Sequence, residues 1–285
     1  MTLLAVHAGA DDGQDPRLSP AAEQAANAKS EKIKAELTKD AKPWWAGRYS
    51  EGDGMGANTS IILAPDAGFV YQWHGCLGIY DRNFGAVQEA DGRVELAPAL
   101  PLATDLAPLL TKYIPVRWQS RKYLIPEEKM LEFCNKFNAG DLQRTFGNPY
   151  FLVETSTRES PAKGKPEVPT EFQKYLLDRP VICQIQEVRK PKIAYEKSQY
   201  PDDTKDDRFS STSVSLNKGQ DDGFFVGMVL YRVNHYGVSG ITVTSVDKNS
   251  SEAVFRENVT LDGIPTLLPL VGWDLSTSPR RPSNE

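Results

Sequence analysis

The densest group of side chains able to do chemistry lies at Trp73-His74-Gly75-Cys76, with Tyr80 and Asp81 a few residues on. An imidazole and a thiol two residues apart could ligate a soft metal ion. A zinc site, however, needs about four protein ligands, or three and a water. The chain has 3 histidines and 3 cysteines, and His7 lies in an apolar start, so further ligands are hard to find. His74 and Cys76 are therefore weak metal candidates, and a structural corner around Gly75 and Gly78 is the preferred reading. A Cys76 nucleophile would need His74 held in place by a third group. Two residues apart on one strand supply no such group, and there is no Gly-x-Ser-x-Gly elbow. If a small-ligand pocket exists, Trp73, His74, Tyr80 and Asp81 would line it, since they combine aromatic walls with a few polar groups. No catalytic residue is assigned, and no cofactor is expected.

Other motifs lose to plainer readings. Gly52-Asp-Gly54-Met-Gly56 has the glycines of a phosphate loop, but a strand-like Thr59-Ser-Ile-Ile-Leu63 follows it where a helix should receive the pyrophosphate. A hairpin or bulge corner is expected there. Asp202-Asp203-Thr-Lys-Asp206-Asp207 lacks the spacing of a calcium loop and reads as a solvated excursion. His235 sits at an expected turn. With 33 basic against 38 acidic residues and a net charge of −5, scattered rather than clustered, a nucleic-acid partner is not expected. The apolar runs are far shorter than the roughly 20 residues of a membrane-spanning helix.

The elements that must position these residues can be read along the chain. Ser19-Pro20 fits a cap and first helical position, and Ala21 to Asp40 carries a thin apolar stripe (Ala22, Ala25, Ala26, Ile33, Leu37) suited to a surface helix that Pro43 ends. Of the paired indoles Trp44-Trp45, a cap on a barrel core is preferred to a sticky surface. Strands are expected over 58–64, 69–74, 84–90 and 93–97, broken by Pro65-Asp-Ala-Gly68 and Asp91-Gly92. A hairpin at 112–125 leads to a packing helix over 126–139 with Met130, Cys134 and Phe137 on one face. A short helix over 170–177 and a strand over 181–188 follow, and residues 190–210 read as an exposed polar excursion. Further strands are expected at 211–216, 224–233, 240–246, 251–255 and 273–276. The fold class is mainly β with a few helices (α+β): an antiparallel meander or partial barrel, a second small β-barrel, and a long N-terminal surface helix. The domains would be a leader-like start and helix (1–43), a meander module with its packing helix (44–153), a linker (154–169) and a barrel-like module (170–285).

Two stretches resemble known families. Gly47-Arg-Tyr49, Gly52-Asp-Gly54-Met-Gly56-Ala-Asn58, Gly68-Phe69 and Trp73-His-Gly-Cys-Leu-Gly78-Ile-Tyr80-Asp81, with Pro115-Val-Arg-Trp118 and Tyr123-Leu-Ile-Pro126, resemble a module of uncharacterised bacterial exported, lipoprotein-like proteins. That resemblance implies a cell-envelope location and no particular activity. Val214 to Val233, with its Gly219-x-x-Asp222-Gly223 turn and Gly227-Met228 pair, and Gly240 to Val246 resemble the small β-barrels of rod-shape-determining envelope scaffold proteins. It implies a folding unit that assembles. Met1 to Val6 is apolar, and His7-Ala-Gly-Ala10 then precedes Asp11-Asp12, but the apolar core is short and no basic stretch precedes it. The start therefore reads either as the tail of a signal peptide that begins upstream, the preferred reading, or as an ordinary disordered end. The expected function is thus an exported envelope binding or assembly protein without catalytic activity, its partner an unidentified protein or envelope component. The alternatives are a periplasmic hydrolase of an envelope polymer and a lipocalin-like carrier of a small apolar ligand, which would need a hollow first barrel. Pairing among Cys76, Cys134 and Cys183 is left open.

Overall fold

The computed structural model describes residues 15–52, 56–103, 109–143, 151–196, 207–234, 240–259, 265 and 267–279. The leader-like start, Asp53 to Met55, the acidic run 202–206 and His235 lie outside them. The fold is mainly β, with two closed barrels of 8 and 6 strands. It divides into two units, Met1–Glu127 with Phe146–Gly164, and Glu128–Thr145 with Lys165–Glu285.

In the first unit, β1 (Gly47–Glu51), β2 (Asn58–Ala64), β3 (Gly68–Gly75), β4 (Gly78–Ala90), β5 (Arg93–Pro98), β6 (Lys112–Trp118), β7 (Arg121–Pro126) and β8 (Leu152–Glu154) follow one another around a barrel. Each is antiparallel to its neighbour, and Tyr49–Glu154 and Ser50–Val153 pairs close β1 onto β8. The meander expected from sequence is therefore a complete barrel. The two short strands β1 and β8, which the pattern of longer alternating runs does not announce, complete it.

Alternation along the strands sends one set of side chains inward. Trp45, Tyr49, Ile61, Leu63, Phe69, Tyr71, Val94 and Leu124 are all buried in one cluster that fills the interior. The adjacent indoles divide their roles. Trp45 joins this core and donates its Nε1–H to Glu89 at 2.8 Å, whereas Trp44 stays on the surface with the Arg117 guanidinium 4.8 Å over its ring. The opposite, outward set receives α1 (Pro20–Leu37), whose Ala26 and Ile33 pack on Ala64 and Val70. As expected, Ser19 caps this helix, its hydroxyl accepting the Ala22 N–H at 3.2 Å. At the far end, the buried Glu36 carboxylate accepts the N–H groups of Asp66 (3.0 Å) and Ala67 (2.6 Å), clasping the β2–β3 turn.

The stretch expected to be a linker is tied down at its start. Thr155 N–H donates to Arg48 C=O at 2.8 Å, and the Trp118 indole donates to the carbonyls of Lys163 (3.1 Å) and Gly164 (3.0 Å). Residues 155–164 thus form a strap on the first barrel.

In the second unit, β9 (Ile182–Val188), β10 (Lys192–Glu196), β11 (Asp207–Leu216), β12 (Val229–Arg232), β13 (Ile241–Val246), β14 (Ser251–Asn258) and β15 (Asp274–Ser276) share one sheet in the order β10-β11-β14-β13-β12-β15-β9. An added β9–β11 pairing closes six of them into a barrel. Phe224, Met228, Leu230, Phe255, Trp273 and Leu275 fill it. The Gly-rich turn has a clear physical basis. A Cβ on Gly219 would lie 2.3 Å from the Asp247 carbonyl oxygen, a clash that only glycine avoids. That closeness lets Gln220 N–H reach the same carbonyl at 2.8 Å.

Three expectations change in this unit. The 190–210 excursion is in part sheet, since β10 pairs with β11 from Lys192–Ser211 to Glu196–Asp207. The helix α2 (Met130–Asn138), expected to belong with the meander, falls in the second unit instead. Its buried Asn135 amide donates to Gly227 C=O (2.9 Å) and accepts from Val229 N–H (3.2 Å), imitating a strand edge next to β12. The helix α3 (Thr170–Gln173) is a single turn, shorter than its pattern suggests.

Candidate functional site

The sequence candidates sit on the β3–β4 hairpin. Pairing steps from Trp73–Asp81 to His74–Ile79, so Tyr80 is the extra residue of a bulge next to the tip. The bulge turns the Tyr80 ring onto Trp73, with centroids 5.1 Å apart and planes 53° off parallel, a favourable tilted pair. The ring also lies against the Gly75 backbone, where a Cβ would come within 2.6 Å of it. His74 and Cys76 are exposed. The tip residue between them and the return strand, Leu77, is 91% exposed.

Asp81 behaves differently, being only 2% exposed. Its carboxylate accepts from Arg17 Nη1 at 3.2 Å. Arg17 belongs to a short 3-10 turn, Pro16–Leu18, ahead of α1, and its Nε also donates to Asp15 at 2.9 Å. The result is a chain of charges, Asp15–Arg17–Asp81, that fastens the N-terminal turn to β4. Burial pushes the Asp81 carboxyl above its usual range, against the opposing pull of the Arg17 charge. The hydrogen bond from Arg17 holds Asp15 below that range. Tyr71, one inward position along β3, is raised by burial and further by the charges of Asp81 and Glu51.

Of the four candidate ligand-binding residues, Trp73 and Tyr80 are thus brought together, Asp81 is engaged by Arg17, and His74 faces solvent. Among the described residues no three of His, Cys, Asp and Glu are grouped to hold a metal ion. The arrangement can fasten a segment and present an aromatic face. Sequence reasoning misses Arg17, because it lies 64 residues from Asp81 along the chain and carries no local signal.

Two other surface features have recognisable chemistry. A cleft of about 160 Å³ between α1 and the outer faces of β1–β3 is lined by Asn27, Ser30, Lys34, Arg48, Ser60 and Gln72 over an apolar floor. Its polar lining suits water or a small polar molecule, and Lys34 is already paired with Glu31 at 2.7 Å. On the second unit, Val226, Leu268, Leu270 and Val271 are large apolar side chains facing solvent, the last two 60% and 63% exposed. Among the described residues no helix is long and apolar enough to cross a membrane. No family model, curated protein or solved structure matches the chain.

Proposed function

We propose that this protein is an exported component of the cell envelope that works as a binding and assembly module, through its outer surfaces and without a catalytic step. The observation that carries this reading is the filling of both barrels. Trp45, Tyr49, Phe69 and Tyr71 occupy one interior, and Phe224, Met228, Phe255 and Trp273 the other. A carrier of the lipocalin kind needs that space empty. Recognition is then left to the exterior, where Leu270 and Val271 offer exposed apolar area. The envelope location is supported by the leader-like start and by the two sequence resemblances.

The test is made in the native host, with the protein expressed from its own gene. Protease added after permeabilising only the outer membrane should digest it, and cross-linking should capture an envelope component that is lost in Leu270→Asp and Val271→Asp. Protection of the protein within the cytosol would overturn the location. Release of soluble fragments from isolated envelope polymer by the purified protein would make it a hydrolase.

A further inference from the structure

The strand β10 pairs with β11 on one side and with no other strand among the described residues, so it ends the sheet order of the second unit. An edge strand with unpaired N–H and C=O groups is a template for another strand. Protecting devices are few here. Ile193 and Tyr195 lie on one face of the strand, 42% and 60% exposed, and the Arg208 guanidinium 5.6 Å over the Tyr195 ring holds that ring at the sheet surface. Pro191, which has no N–H to donate, ends the usable edge on one side and limits pairing to the five residues of β10.

Those five residues read Lys192-Ile-Ala-Tyr-Glu196. Laid antiparallel against its own copy about Ala194, the sequence complements itself. Lys192 stands opposite Glu196, Ile193 opposite Tyr195, and Ala194 opposite Ala194. Opposite charges and an aliphatic–aromatic pair are the cross-strand combinations that stabilise antiparallel sheets. Two-fold symmetry makes the charge pair and the Ile193–Tyr195 pair each occur twice, with Ala194 meeting its copy on the axis, as an isologous contact requires. A register shifted by one or two residues in either direction would lose the charge pairing, and a shift toward the N-terminus would also bring Pro191 into the ladder.

We infer that β10 is a homotypic docking edge, through which two copies of this chain join their second barrels by antiparallel β10–β10 pairing centred on Ala194. The occupant of the edge is a second copy of the chain, and the surface is distinct from the Leu270–Val271 patch. The inference therefore stands or falls independently of the compartment and external partner proposed above.

The test uses the full-length protein in sedimentation velocity and native mass spectrometry over a range of concentrations. The wild-type chain should show a concentration-dependent monomer–dimer equilibrium. Lys192→Glu and Glu196→Lys each set like charges opposite one another twice, and each should weaken dimerisation tenfold or more. The double variant Lys192→Glu/Glu196→Lys restores both pairs and should dimerise like wild type. An equimolar mixture of the two single variants should form a heterodimer although neither dimerises alone. Unchanged circular dichroism and melting of the monomers confirm that the variants fold. A wild-type protein that stays monomeric at several hundred micromolar, single variants that dimerise normally, or a double variant that fails to recover would each overturn the inference.

Discussion

Cys76 stands apart from the other two thiols. It is exposed at the β3–β4 tip, whereas Cys134 and Cys183 are buried and burial pushes each thiol up to about 12. A thiolate is the reactive form, so a maleimide at neutral pH should label one thiol in the native protein and three after denaturation, as read by intact mass. Two rapid labels in native buffer would contradict this packing. The Arg17–Asp81 link makes a second residue-scale prediction. Arg17→Ala leaves a buried carboxylate without its guanidinium and should cost about 1–3 kcal/mol near neutral pH, measured by denaturant unfolding. The raised Asp81 carboxyl also fixes a sign. Its folded value lies above the unfolded one, so its stabilising contribution is complete below the unfolded range, near pH 4, and is lost as pH rises through the folded value. The stability of Asp81→Asn relative to wild type should therefore increase from about pH 3 to 6, and a relative decrease would contradict the assigned burial. Nothing in the local sequence marks this pair. Trp73, Tyr80 and Asp81 are recognisable as a group because they are neighbours in the chain, while the partner that decides Asp81's role is distant.

At the scale of elements, legibility follows how local the determining interactions are. The Asp91-Gly92 turn is readable because both residues adopt positive φ, 52° and 72°, a conformation that this residue pair favours. The helix α1 is readable from its cap and stripe. By contrast, β10 is five residues of mixed charge, and only pairing with β11 makes it a strand. For β1 and β8 the same holds, since closure is a property of the whole ring. The Glu36 clasp is likewise silent in sequence, and it yields a test of how α1 is held. Glu36→Ala removes the acceptor of two backbone N–H groups and should cost about 1–3 kcal/mol, with Glu36→Gln recovering part of the loss. Equal stability of the Ala variant and wild type in urea titrations would mean that water replaces the carboxylate.

For the whole molecule, the chain does not pass through its two units one after the other. The first barrel acquires seven of its strands by Pro126, the chain then contributes α2 to the second unit, and only afterwards returns with β8 and the 155–164 strap. A fragment ending at residue 127 should therefore lack the strand that closes the ring and remain unfolded by circular dichroism. A fragment ending at 164 should form strands but expose the apolar face of α2, and should aggregate unless residues 165–285 are supplied in trans. Cooperative melting of the 1–127 fragment would refute this dependence on β8.

That interleaving bears on how such a protein can change over time. Neither barrel can be copied, lost or fused elsewhere by a single genetic cut, because any one breakpoint between them strips a closing strand from one or a packing helix from the other. The pair is inherited as a single block. Recombination that leaves both intact has only the chain's outer ends and its surface turns to work with.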